Sequence, residues 1–299
     1  MAQVVLITGA STGFGHDGAL RLARRGHHVF ATMREMEGRN AKARAELEAI
    51  AGAEQLQLEV LELDVTSDDS VRSAVDTALT RAGRLDVVVN NAGYAGIGVT
   101  EGYTAEQFQQ MFDVNVFGVV RVNRAVLPAM RKQGSGLLVH ISSGAGRVVV
   151  PAMAAYCASK FALEAVADAY RFELLPFGIN SIIVEPGIYK TPIFDRLATP
   201  ADRDRLSDYG SPGFADRVLG VFQSAIDQPD NPGTNEVADA LVRLVEMDNA
   251  ERPFRTVVSA AIQPLLEPYN TAAEALRPVV AQIFNVAELA GAVSAPVAK

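Results

Sequence analysis

Val4-Val5-Leu6-Ile7-Thr8-Gly9-Ala10-Ser11-Thr12-Gly13-Phe14-Gly15 stands at the start of the chain. Four consecutive apolar residues read as a short strand buried on both sides. A glycine-rich turn follows, and Gly13 to Arg25 then has helical spacing, with Ala19, Leu20, Leu22 and Ala23 apolar. In such a strand–turn–helix unit the glycines let backbone approach a bound group closely. The helix N-terminus adds free N–H groups and a partial positive charge. That combination suits a pyrophosphate. The spacing G-x-x-x-G-x-G departs from the usual G-x-G-x-x-G, so the turn alone leaves a merely tight glycine bend open.

Outward from this unit the pattern repeats. Strand-like runs at 28–32, 56–63 and 86–90 alternate with helical stretches at 38–51 and 67–81, the latter capped by Ser67 with Asp68 and Asp69 in its first turn. A long helix is predicted over 105–132, a fifth strand over 136–142, a helix over 153–175 and a sixth strand over 179–185. After Gly187 the regularity fails until a helix at 235–246 and a possible seventh strand at 255–259. Strands alternating with helices predict an α/β fold: a doubly wound, Rossmann-type parallel sheet of about seven strands with helices on both faces. Residues 1–260 form the expected dinucleotide-binding and catalytic domain, including a substrate loop at 188–232. Residues 261–299 are expected to add a C-terminal helical extension with a frayed Ala/Val-rich tail.

Bulk properties narrow the function. The chain has 299 residues, 49% hydrophobic and 21% charged, with a net charge of −8. An acidic surface repels phosphate backbones, so no nucleic-acid partner is expected. One cysteine, Cys157, excludes an internal disulfide and any cysteine-cluster metal site. No metal is expected. Without a signal peptide or an apolar run of membrane-spanning length, the expectation is a cytoplasmic protein.

Two further features carry chemistry. The second strand ends Thr32-Met33-Arg34, with no acid to bond a ribose 2′-hydroxyl. Arg34 stands where a guanidinium could clamp a 2′-phosphate, and Thr12 could add a hydroxyl. A solvated surface arginine is the alternative. Tyr156 and Lys160 share one helix face at i and i+4. A nearby ammonium favours a phenolate; lowering a tyrosine by about three pH units corresponds to roughly 4 kcal/mol. Ser143, at the end of the fifth strand, could bond a substrate oxygen where ligands meet a parallel sheet.

Together these residues resemble the short-chain dehydrogenase/reductase family over about 3–192, and more loosely to about 260. The turn at 8–15 (Thr8, Gly9, Ser11, Thr12, Gly13, Phe14, Gly15) is similar to the family's cofactor loop. Asn90-Asn91-Ala92-Gly93 resembles its motif after the fourth strand, with Asn90 supporting the sheet. Asp64-Val65 is similar to the adenine-binding pair, and Pro186-Gly187 with Thr191 to the nicotinamide segment. Asn115, Ser143, Tyr156 and Lys160 match the family's catalytic set. The resemblance implies hydride transfer between a nicotinamide cofactor and a carbonyl or alcohol. Tyr156 would exchange the proton, Ser143 polarise the oxygen, Lys160 contact the cofactor ribose, and Asn115 hold a water of the proton relay. Arg34 points to NADP(H) in preference to NAD(H). Family members commonly pair through their long helices, so a homodimer or homotetramer is expected.

The loop at 188–232 is expected to cover the substrate, with Tyr189, Ile193, Phe194 and Leu197 facing the pocket. Residues 94–99 and 148–153 would wall the other side. This suggests an apolar carbonyl or alcohol; ordinary packing beneath a surface loop is the competing account. Asp17 is expected to point to solvent, His140 to be structural, and Cys157 to be a small buried helix residue without a His partner. Two rival functions stay open. A silent NADP(H)-binding regulator would bind cofactor without turnover, and an epimerase or dehydratase would turn over without net cofactor change.

Overall fold

Side chains alternate across each strand, and in this sheet both sides of the alternation are apolar. In the computed structural model, which describes residues 1–209, 213–228, 231 and 233–286, seven parallel strands form one sheet. They are β1 (Val4–Ile7), β2 (His28–Met33), β3 (Leu58–Glu62), β4 (Val87–Asn90), β5 (Gly136–Ile141), β6 (Ile179–Pro186) and β7 (Arg255–Val258), in the order 3-2-1-4-5-6-7. Helices α1 (Gly13–Arg24), α2 (Ala41–Glu54), α3 (Asp68–Ala82), α4 (Ala105–Phe112), α5 (Gly118–Gln133), α6 (Ala154–Leu174), α7 (Phe214–Ile226), α8 (Asn235–Glu246) and α9 (Gln263–Ile283) surround it. Val5, Ile7, Val87 and Val89 join α1, α2 and α8 in one core. Leu6, Phe30, Val88 and Leu138 join α3 and α5 in the other. Two covered faces are why the strands read as continuous apolar runs. Each fully buried aliphatic side chain contributes about 1.5–3 kcal/mol of burial.

The doubly wound sheet is the fold expected from the sequence. Ser67 caps α3 as predicted, its hydroxyl accepting from Ser70 N at 3.3 Å. The single helix expected over 105–132 is corrected. It divides into α4 and α5 at a π turn, Asp113–Phe117. Here Asn115 Oδ1 accepts from Tyr94 N at 3.1 Å, and its Nδ2 donates to Tyr94 O at 3.0 Å and Ser159 Oγ at 2.9 Å. One wide turn leaves the apolar periodicity of a long helix nearly intact, so hydropathy does not report it. The tail expected at the C-terminus falls on 287–299, outside the described residues.

Helix α9 meets the domain through charge as much as through apolar contact. Glu164 of α6 and Glu185 of β6 are 2% and 0% exposed. Ser142 Oγ donates to Glu164 Oε1 at 2.8 Å, and Arg255 Nε to Glu164 Oε2 at 3.0 Å. From α9, Asn270 Nδ2 donates to Glu185 Oε2 at 2.6 Å and Glu274 accepts from Arg255 Nη1 at 3.1 Å. The Arg277 guanidinium lies 4.4 Å from the centre of the Phe254 ring. Removing one partner from a buried pair of this kind is costly, because the other charge is left uncompensated.

Burial, with the negative charge of Glu164 beside it, pushes the Glu185 carboxyl from 4.5 up to about 8, against the pull of Asn270 and Arg255. The folded chain therefore keeps a proton that the unfolded chain releases above 4.5. Stability from this group falls as pH rises through that window. Urea unfolding at about pH 5 and about pH 8 is expected to show Glu185→Gln losing less stability than wild type at the higher pH. Parallel pH profiles for the two proteins would place the proton elsewhere.

Candidate active site

The chain leaves β1 towards β2 on one side, while β4 lies on the other. The carboxyl ends of β1 and β4 therefore open a crevice at a topological switch point. Thr8 Oγ1 spans it, accepting from Asn91 N and Ala92 N at 3.0 Å each. Asn91 Nδ2 returns two bonds, to Thr8 O at 2.8 Å and Gly9 O at 3.0 Å. Gly9 holds φ +67°, where a Cβ would also lie 2.8 Å from Ala92 Cα. A Cβ on Gly15 would meet Asn91 Nδ2 at 2.4 Å and Gly9 O at 2.6 Å. The glycines are thus required by close approach of the two strand ends.

A cleft of about 840 Å³ runs along these ends. Ser11, Thr12, Gly13, Phe14, Arg34, Asp64 and Val65 line it on the β1–β3 side. Gly9, Asn91, Ala92 and Gly93 line the middle, and Ser143, Tyr156, Lys160, Pro186, Gly187 and Thr191 the β5–β6 side. Three expected site residues stand behind this wall instead. Thr8 is 1% exposed and its hydroxyl is taken by the β4 end. Gly15 packs under Asn91. Asn115 is 1% exposed, with both side-chain atoms bonded to Tyr94 and Ser159. The Asn115 side chain pins the backbone of Tyr94 to α6. Asn90 donates to Asn123 Oδ1 of α5 at 2.9 Å, within the sheet's support.

At the β5–β6 side Ser143 caps a short turn, its Oγ accepting from Ala145 N at 3.1 Å. Lys160 Nζ donates to Ile141 O at 2.8 Å and lies 5.8 Å from the centre of the Tyr156 ring. Two opposing influences act on the Tyr156 phenol: the Lys160 ammonium favours its ionised form and burial disfavours it. Burial pushes the phenol up to about 12, with the Ser143 hydroxyl pulling the other way. Burial likewise pushes Lys160 down to about 8, opposed by the charge of Glu164. Desolvation disfavours both charged forms, which outweighs an ammonium at this distance. His140 is fully buried, sits 3.2 Å from Ser181 Oγ, and is held neutral, down to about 3. Cys157 is buried and bonded at Val150 N, at 3.3 Å, with its thiol pushed up by burial.

The opposite side carries charge. Arg34 is joined in the lining by Arg39 and Asn40, which the sequence pattern did not single out. Asp64 Oδ1 accepts from Thr66 N at 2.9 Å and Thr66 Oγ1 at 2.8 Å. Asp17 does not point freely to solvent as expected: it bonds His16 at 2.9 Å and accepts from the Thr234 hydroxyl, tying α1 to the start of α8. Among the described residues, no group of His, Cys, Asp and Glu is placed to hold a metal ion. No described helix is long and apolar enough to cross a membrane.

The remaining wall is apolar. Ile193 and Phe194 line the cleft as expected, with Tyr94, Ala95, Val148, Val150 and Met153. Tyr189 lines the cleft too. It is 2% exposed, packs edge-on against Phe14, and sends its hydroxyl to Val258 O at 2.9 Å and to Glu236. Leu197 and Ile97 pack in the apolar cluster behind the lining. Phe222 of α7 and Ile262, Leu265 and Leu266 at the start of α9 are lining residues that the sequence reading missed. They come from distant segments with no motif.

This geometry has known counterparts. The chain is 35% identical over 265 residues to the 3-ketodihydrosphingosine reductase of Bacteroides thetaiotaomicron, covering 88% of this chain and 90% of that one. It is 33% identical over 274 residues to retinol dehydrogenase 8 of Bos taurus, covering 88% and 84%. A short-chain dehydrogenase from Streptomyces avermitilis superposes with a TM-score of 0.75 at 29% identity, covering 95% and 98%. Residues 3–201, from β1 through the loop after β6, match the short chain dehydrogenase family. A glycine turn locked to the end of β4, in a sheet ordered 3-2-1-4-5-6-7, is thus the framework of a member of the short-chain dehydrogenase family of oxidoreductases.

Proposed function

We propose that the protein uses NADP(H) to interconvert an apolar ketone or aldehyde with the corresponding alcohol, Tyr156 exchanging the hydroxyl proton. The observation that carries this is convergence: Ser143, Tyr156 and Lys160 line the same cleft as the glycine turn and Arg34. The cleft fits a dinucleotide. Cβ-free backbone lies over the switch point, where any side chain on Gly9 would collide with Ala92. Cationic side chains flank one end and proton-bearing groups the other. Ser11, Thr12 and Gly13 would hold the pyrophosphate, Asp64 and Val65 the adenine, and Pro186, Gly187 and Thr191 the nicotinamide. When bound, the nicotinamide would supply or accept the hydride.

The side chains then divide the remaining work. Ser143 donates to the substrate oxygen and fixes it beside Tyr156. The phenol, held protonated by burial, gives its proton to that oxygen during reduction and takes it back during oxidation. Lys160, fixed by Ile141 O, supplies positive charge that stabilises the phenolate once the proton has moved. Met153, Phe194, Phe222 and Leu265 would receive the apolar part of the substrate. Relatives named for 3-ketodihydrosphingosine and for retinol support the same reading.

Two substitutions test it. Tyr156→Phe is expected to lower turnover of a ketone panel by about 10²–10⁴-fold while NADPH still binds, read by nicotinamide fluorescence. A variant keeping most of its rate would remove Tyr156 from proton transfer. Arg34→Ala is expected to weaken NADPH binding by about tenfold and leave NADH binding unchanged. Equal losses for the two cofactors would remove Arg34 from the phosphate site.

A further inference from the structure

The cationic end of the cleft carries its own counter-anions: Asp64 Oδ2 lies 4.0 Å from Arg34 Nη1, and Glu35 stands between two guanidiniums. Arg34 and Arg39 both line the cleft. A single oxygen of Glu35, Oε1, lies 3.6 Å from Arg34 Nε and 3.5 Å from Arg39 Nη2. The turn fixes the backbone that carries this carboxylate. Glu35 adopts φ +53°, a conformation uncommon for a residue with a long side chain. Its N–H and that of Met36 are taken by the Glu62 carboxylate, at 2.6 and 2.9 Å. Its carbonyl accepts from Gly38 N at 3.1 Å and Asn40 N at 3.0 Å, while Asn40 Nδ2 donates to Arg34 O at 2.6 Å. Five residues of backbone are thus arranged so that one carboxylate bridges two guanidiniums.

We propose that Arg39 is a second cation for the 2′-phosphate of the cofactor, and that Glu35 is a built-in competitor setting how far the phosphorylated cofactor is favoured. This rests on the NADP(H) reading above. A phosphate monoester brings more charge and more acceptor oxygens than a carboxylate, so two arginines prefer it. To admit it, Glu35 must leave the bridge, and its side chain, 51% exposed, has solvent to enter. With an unphosphorylated ribose no such exchange is needed, and the carboxylate remains an acceptor for a hydroxyl. Glu35 therefore works against NADPH without working against NADH, and cofactor preference is a balance between Arg34 and Arg39 on one side and Glu35 on the other.

The test is titration calorimetry of the full chain with 2′,5′-ADP and 5′-AMP, alongside fluorescence titration with NADPH and NADH. Arg39→Ala is expected to weaken 2′,5′-ADP and NADPH by about tenfold and leave 5′-AMP and NADH unchanged. Glu35→Gln is expected to tighten the phosphorylated pair by about three- to tenfold, the gain shrinking as salt is raised. Glu35→Gly, which accepts the positive φ without strain, should match Glu35→Gln, since charge and not backbone conformation is at issue. Unchanged affinities in Arg39→Ala, or a Glu35→Gln effect equal on both pairs, would overturn the proposal and leave the cofactor reading standing. A wild-type chain that binds NADH and not NADPH would remove the NADP(H) reading itself and the proposal with it.

Discussion

Two peptide N–H groups beyond β4, those of Asn91 and Ala92, donate to one hydroxyl beyond β1, that of Thr8. The rest of the site hangs on this joint. It draws the glycine turn against the β4 end until Gly9 touches Ala92 and Gly15 lies under Asn91, leaving no room for a Cβ. Backbone on both lips of the crevice is then bare, and the first turn of α1 faces it. A threonine is apt because one oxygen can accept both N–H groups while its own proton goes to Val89 O, at 3.4 Å. The Thr8 hydroxyl that joins the two lips is consequently hidden from the cleft.

Burial sets the resting chemistry at the other end. Desolvation favours the neutral phenol of Tyr156 and lowers the basicity of Lys160. Both shifts have one cause, removal from water, and both make the pair responsive to any charge that enters. Directly behind them Glu164 receives Ser142 and Arg255, so the strand end carrying Ser143, the helix carrying Tyr156 and the β7 edge share one ionic cluster. Asn270 and Glu274 extend that cluster into α9. Helix α9, whose first residues line the apolar side of the cleft, is therefore registered against the elements carrying Ser143 and Tyr156 through polar contacts of defined geometry.

Much of this was legible in the sequence because it is local. Residues 4–15 spell strand, turn and helix within one short segment, and alternating apolar runs are the direct imprint of a sheet covered on both faces. Tyr156 and Lys160 face one way because any helix brings i and i+4 together. The split between α4 and α5 was not legible, since a π turn adds one residue to a pattern that hydropathy averages over. Nor were the partners of the Tyr189 hydroxyl, Glu236 and Val258, which come from segments far along the chain. Phe222, Ile262 and Leu265 look like ordinary apolar helix residues until α7 and α9 are placed.

The sequence by itself determined the class of fold, the order of its elements and the family, because periodicity, glycine spacing and short motifs are properties of neighbours in the chain. Tertiary structure alone decided which residues the cleft exposes. It placed Thr8, Gly15 and Asn115 behind the lining, brought Arg39 beside Arg34 with Glu35 between them, and buried Tyr156 so that desolvation opposes its ionisation. Exposure, counter-charge and desolvation depend on what lies opposite a side chain in space, and that is fixed only when distant segments pack.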